Sequence, residues 1–141
     1  MEDKTLIQVI YGEKGAGKTK QIVDLANRTA QTAKGVVVYL DRSNNRIHDL
    51  ARNIRLVDAS HYGLNSQKDI VSFIKGMLAA NFDIEKVFID GITRLLDCNV
   101  SELGVLYDGL EQIGKEFDVQ FVITASSSKE NLPPFIAKHV K

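Results

Sequence analysis

Residues 12–19 read GEKGAGKT; the apolar run LIQVIY (6–11) leads into them and KQIVDLANRTAQTA (20–33) follows. The eight residues match the phosphate-loop pattern G-x-x-x-x-G-K-[ST] at Gly12, Gly17, Lys18 and Thr19. In that pattern backbone N–H groups wrap a phosphate chain. The motif needs a strand entering it and a helix leaving it, because the unpaired N–H groups of a helix's first turn point at the anion. Leu6, Ile7, Val9, Ile10 and Tyr11 form a short β-branched run that reads as a strand buried on both faces. After Lys18, apolar or small residues recur at Ile22, Ala26, Thr29 and Ala33, the spacing of one buried helix face, and Gly35 is the expected stop.

Further along, GVVVYLD (35–41), IRLVDA (54–59), KVFIDG (86–91) and VQFVITA (119–125) read as strands. Ser66 followed by Asp69 signals a helix start ahead of Ile70, Phe73, Ile74, Met77 and Leu78, and Leu103, Leu106, Leu110, Ile113 and Phe117 mark a helix of about four turns. Apolar strands alternating with amphipathic helices predict an α/β fold, a three-layer αβα arrangement around a mostly parallel sheet. In such sheets ligands bind where the strands end. The tail SSSKENLPPFIAKHVK (126–141) is less regular; Pro133 and Pro134 argue against a helix through them, and FIAKHV (135–140) fits a last edge strand.

At 141 residues and 44% hydrophobic the chain suits one nucleotide-binding domain spanning 1–141. It has no long apolar run and no signal-peptide pattern at MEDKTLIQ, so a cytoplasmic location without a membrane segment is expected. Eighteen basic residues balance eighteen acidic ones, and that neutrality gives no indication of nucleic acid as a partner. One cysteine, Cys98, excludes an internal disulfide and a multi-cysteine metal site, and the three histidines lack the spacing of zinc ligands.

A phosphate loop that works with magnesium needs a carboxylate at the end of another strand. Asp90 closes KVFID, and an unpaired carboxylate is costly at the end of a buried strand. The residues of the loop, Gly12, Glu13, Lys14, Gly15, Ala16, Gly17, Lys18, Thr19 and Lys20, are therefore assigned to the nucleotide, with the amides of 14–19 around the β-phosphate and Lys18 reaching the β- and γ-phosphates. Thr19 and Asp90 are assigned to Mg²⁺, which keeps several waters and needs few protein ligands.

Together GEKGAGKT, VFIDGIT and QFVITAS resemble the RecA-like branch of P-loop NTPases, by motif and element order over roughly residues 5 to 126. The resemblance implies a core that binds ATP and Mg²⁺, with the strand ending near Thr124 lying between the phosphate-loop strand and the Asp90 strand. It makes Thr124, or Ser126 just beyond it, the sensor of the γ-phosphate. It also implies rings or filaments in which a neighbour supplies a cation, so a homo-oligomer or another protein partner is expected; by position Arg94 and Lys129 are candidates for that cation. The chain departs from the family at the catalytic base: RSNNR follows VVVYLD and Gly91 follows Asp90, where the family resembles itself in carrying glutamate. Asp41 and Glu13 are the two substitutes in the sequence.

Three functions follow as expectations. The first is a Mg-dependent ATPase, a hydrolase whose turnover is slow or stimulated by a partner. The second is a non-hydrolysing ATP-binding regulatory or adaptor module. The third is a small-molecule or nucleoside kinase, for which Arg42, Arg46, Arg52 and Arg55 are the arginines available to a lid, although their interleaving with Asp49 and Asp58 also suits a solvated loop.

Overall fold

The computed structural model describes residues 5–140. Its elements run β1 (Ile7–Gly12), α1 (Lys18–Thr32), β2 (Val36–Asp41), β3 (Ile54–Asp58), α2 (Gln67–Ala80), β4 (Ile84–Ile89), α3 (Ile92–Leu96), α4 (Gly104–Phe117), β5 (Gln120–Ser126) and α5 (Pro134–Ala137), with single turns of 3₁₀ helix at Ala59–Tyr62, Val100–Glu102 and Lys129–Asn131. Five strands form one sheet in the order β1-β5-β4-β2-β3, and every pairing is parallel. The strand carrying Thr124 thus lies between β1, which leads into residues 12–19, and the strand leading to Asp90, as expected.

Period-two alternation decides which helix each strand residue meets. Val37, Tyr39, Phe88 and Val122 face α1, where Ile22, Val23, Ala26 and Ala30 are buried. Their neighbours Val38, Leu40, Val87, Phe121 and Ile123 face the other way, into the larger core with Ile70, Ile74 and Leu78 of α2 and Leu106, Leu110 and Ile113 of α4. The sheet is therefore covered on both faces, by α1 on one side and by α2 and α4 on the other. Among the described residues no helix is long and apolar enough to cross a membrane.

Local chemistry sets the helix ends. Ser66 Oγ accepts the Asp69 N–H at 3.1 Å at the start of α2, and the Asp69 carboxylate accepts the Asn65 N–H in return. At the end of α1 the chain leaves the helix at Ala33 in an extended conformation; the fully buried face adds Val23 and Ala30 to Ile22 and Ala26, while Ala33 packs half-buried against the same cluster and Thr29 is half-covered. Gly35 acts as a point of close approach rather than a helix stop, because a Cβ there would run into the backbone carbonyl of Asp83.

Two further expectations are corrected. β1 is an edge strand, so only Ile7 and Val9 are fully buried; Gln8 and Ile10 on the opposite face are half-covered. The segment 135–140 is not a strand. Pro134 occupies the first turn of the short helix α5, a position where its missing N–H costs nothing, and Ile136 anchors it in the core. The segment still reaches the sheet edge: His139 O accepts the Val9 N–H at 3.4 Å, and Lys138 Nζ and His139 Nε2 both contact the Glu111 carboxylate on α4, at 2.8 and 2.9 Å.

Parallel pairing brings the carboxyl ends of the strands level. The register sets Leu40 beside Ile89, Ile89 beside Ile123 and Ile10 beside Thr124. Gly12, Asp41, Asp90 and Thr124 therefore gather along one rim of the sheet.

Candidate nucleotide-binding site

The loop from Gly12 to Gly17 turns back into α1 through two glycines with positive φ, Gly15 at 88° and Gly17 at 84°, conformations that side chains with a Cβ rarely adopt. Gly17 is the N-cap of α1 and offers no side-chain cap, so the first N–H groups of a fifteen-residue helix remain available to an anion. Lys18 Nζ donates to the Glu13 carbonyl across the loop at 3.1 Å. Its ammonium lies below the ordinary lysine range, chiefly because burial strips away water; Asp90 works against that shift and Arg94 adds to it.

Asp90 is the centre of the site. It is 7% exposed and accepts three hydroxyl groups: Thr19 Oγ1 at 2.9 Å and Tyr39 Oη at 3.3 Å on Oδ2, and Thr124 Oγ1 at 2.6 Å on Oδ1. Its own N–H bonds to the Leu40 carbonyl, which locks the end of β4 to the end of β2. A buried carboxylate is tolerated here because hydroxyls from α1, β2 and β5 replace its lost water. The Tyr39 phenol, fully buried in the sheet, is pushed up well beyond its ordinary pKa, first by burial and then by Asp90 and Asp41.

Asp41, 6% exposed, closes β2 beside Asp90. Burial raises its pKa to about 6; the Arg42 N–H, donated to Oδ1 at 2.7 Å, pulls it back down, Asp90 raises it further, and Arg46 and Arg42 lower it. Gly91 follows Asp90 with φ of 76°; a Cβ there would stand 3.2 Å from Asp41 Oδ1 and 3.4 Å from the Cγ and Cδ of Arg42.

These residues line a cleft of about 540 Å³. Lys14, Gly15, Gly17, Lys18 and Thr19 border it from the loop, Asp41 and Asp90 from the sheet rim, and Thr124 and Ser126 from β5. The structure therefore brings together most of the residues that the sequence singled out. It leaves others aside: Glu13 is exposed and contributes its carbonyl to Lys18, Lys20 points to solvent and pairs with Asp24 at 3.9 Å, and Lys129 lies outside the cleft. Of the four loop arginines, Arg42 and Arg46 line the cleft and Arg52 and Arg55 do not; Arg94 lines it from α3.

The donor set fits a hard divalent cation. Thr19 Oγ1 and the Asp90 carboxylate, already in contact, are oxygen ligands of the type Mg²⁺ selects, and an ion that retains most of its waters needs no larger protein cage. Tyr39 is the member of this cluster that sequence reading missed. Within VVVYLD it is one more apolar-looking residue, and its only signal is that it stands two positions before Asp41 on the same strand.

No family model and no curated protein matches the chain. Among solved structures it is similar to the crystal structure of the flagellar accessory protein FlaH from Methanocaldococcus jannaschii, with a TM-score of 0.57 and 16% sequence identity. The likeness covers 95% of this chain and 66% of that one, so the chain spans just under two thirds of its neighbour's length. The fold is RecA-like: a three-layer αβα arrangement around a parallel sheet.

Proposed function

We propose that this chain binds ATP with Mg²⁺ at residues 12–19 and Asp90, and that it is an ATPase whose turnover is slow or set by a partner. The observation that carries this reading is the contact of Thr19 Oγ1 with Asp90 Oδ2 at the foot of a helix whose first N–H groups are free. The amides of 14–19 cradle the phosphates, Lys18 exchanges the Glu13 carbonyl for phosphate oxygens, and Thr19 and Asp90 hold the metal. A Mg²⁺ held by these two residues would supply charge neutralisation to the phosphate chain. Thr124, tied to Asp90, senses whether the terminal phosphate is present.

Asp41 is the base of choice. It lines the cleft whereas Glu13 does not, and a pKa of about 6 leaves it mostly ionised at neutral pH yet basic enough to accept a proton from water. Its short side chain fits slow turnover and a need for a partner to adjust the site. FlaH is named as an accessory protein, and a role in service of a larger assembly is proposed for this chain too. The non-hydrolysing module is favoured by the lack of glutamate at positions 43 and 91, occupied here by Ser43 and Gly91. The kinase reading has Arg42 and Arg46 at the cleft in its favour.

Titration of the protein with ATP and Mg²⁺, then phosphate release followed over hours on the same sample with Lys18→Ala as control, tests the proposal. Binding and release that both vanish in the control are expected. Binding without release selects the regulatory module. Unchanged nucleotide affinity in Lys18→Ala overturns the assignment of the site.

A further inference from the structure

The cleft is unevenly charged. Five cations line it, Lys14, Lys18, Arg42, Arg46 and Arg94, against the two carboxylates Asp41 and Asp90. Lys14 and Lys18 belong to the phosphate loop, and Arg46 is engaged by Asp49 at 3.7 Å. Arg42 differs in how it is held. Its N–H is fixed to Asp41 Oδ1 at 2.7 Å, and its side-chain stem lies against Gly91, with Cγ and Cδ 3.4 Å from the point a Cβ would occupy. The stem thus crosses from the end of β2 to the residue after Asp90, over ground left open because position 91 has no side chain. The segment behind it is anchored to α1 by both ends of one amide: Asn27 Nδ2 donates to the Asp49 carbonyl at 2.9 Å and Asn27 Oδ1 accepts the Ala51 N–H at 2.8 Å.

A phosphate chain held at residues 12–19 brings its terminal group beside the Thr19–Asp90 pair, and Asp90 is tied by its N–H to the Leu40 carbonyl at the end of β2. That is where Arg42 lies. We infer that Arg42 is the cation for the terminal phosphate of a nucleoside triphosphate, supplied by the same chain that carries the phosphate loop, so that the positive charge of the site is complete without a neighbouring subunit. The inference rests on the nucleotide reading above. A guanidinium is suited to the task, since its planar donors can take two oxygens of one phosphate. Position 91, directly after Asp90, carries no side chain and is covered by the stem of a cation.

The terminal phosphate is the difference between ATP and ADP, and that gives the test. Affinities for Mg-ATP and Mg-ADP are measured by calorimetry for the wild-type chain, Arg42→Ala and Arg42→Lys, with thermal melting as a check on folding. The backbone N–H that holds Asp41 survives both substitutions. Arg42→Ala is expected to weaken ATP by about 10- to 100-fold, the range for a lost charge-assisted contact, with ADP unchanged within about twofold. Arg42→Lys recovers part of the loss. ATP affinity in the wild type is also expected to be independent of protein concentration across the range in which any self-association occurs. Equal losses for ATP and ADP, or no loss for either, overturn the role of Arg42 while leaving the nucleotide site in place. Failure of the wild type to bind either nucleotide removes the nucleotide reading and this inference with it.

Discussion

Thr124 Oγ1 donates to Asp90 Oδ1 at 2.6 Å, across the boundary between β5 and β4. Both residues are buried, and the pairing of Ile89 with Ile123 sets them level at the ends of adjacent strands. A hydroxyl in this position serves the fold as well as the site, because it replaces water on a carboxylate that the sheet has enclosed. Thr124→Val keeps the shape and removes the donor. It is expected to cost about 1–3 kcal/mol of stability, a melting temperature lower by several degrees, while Thr124→Ser loses less. Calorimetric melting of the two variants decides; an unchanged Thr124→Val would mean that Asp90 does not depend on this bond.

The Tyr39 phenol reaches the same carboxylate from inside the sheet at 3.3 Å, a longer bond than that from Thr124. Tyr39→Phe retains the ring packing against α1 and is expected to destabilise the fold by only about 1 kcal/mol. Its larger effect should fall on the metal, since Asp90 loses one of the donors that fix its orientation. The Mg²⁺ concentration giving half-maximal nucleotide binding should rise several-fold, with metal-free ADP binding unchanged. Equal effects with and without Mg²⁺ would assign Tyr39 to packing alone.

Asp41 has its pKa raised to about 6 in the folded chain, against about 3.9 for an aspartate in water. Between those values the folded state retains a proton that the unfolded state has released, so stability falls as pH rises from about 4 to about 6 and does not return above it. Asp41→Asn keeps an acceptor for the Arg42 N–H and has no charge to bury. The variant should therefore melt above the wild type at pH 7.5, with the difference shrinking toward zero near pH 4. Phosphate release should fall in the same variant. Melting curves at the two pH values check the sign; a variant less stable than the wild type at pH 7.5 would show that the Asp41 carboxylate is a stabilising group.

Most of the scaffold was legible because its signals are periodic and local. The runs at 35–41 and 86–91 show themselves as strands, which the structure places at Val36–Asp41 and Ile84–Ile89, and Ser66 with Asp69 forms a cap contained within four successive residues. The placement of the Thr124 strand between the other two came from the family resemblance, and the pairings Ile10 with Thr124 and Ile89 with Ile123 agree with it. What escaped was set by distance in the fold. Tyr39 looks like core because its ring is core; only its hydroxyl meets Asp90, 51 residues away. Arg42 looks like a loop cation until Gly91 is seen beneath it. The short helix at Pro134 was missed because a proline that forbids a helix interior is favourable at its first turn.

The strand β1 that leads into residues 12–19 pairs with β5, the last of the five strands in the sheet to be made, while β2, β3 and β4 can pair with one another sooner. As the chain leaves the ribosome, the loop at 12–19 is synthesised early but has no strand to brace it until residues 120–126 emerge. Asp90 is likewise without its Thr124 donor until then. The rim that gathers residues 12–19, Asp90 and Thr124 is thus assembled only when β5 has paired with β1 and β4, so the candidate site reports on closure of the sheet.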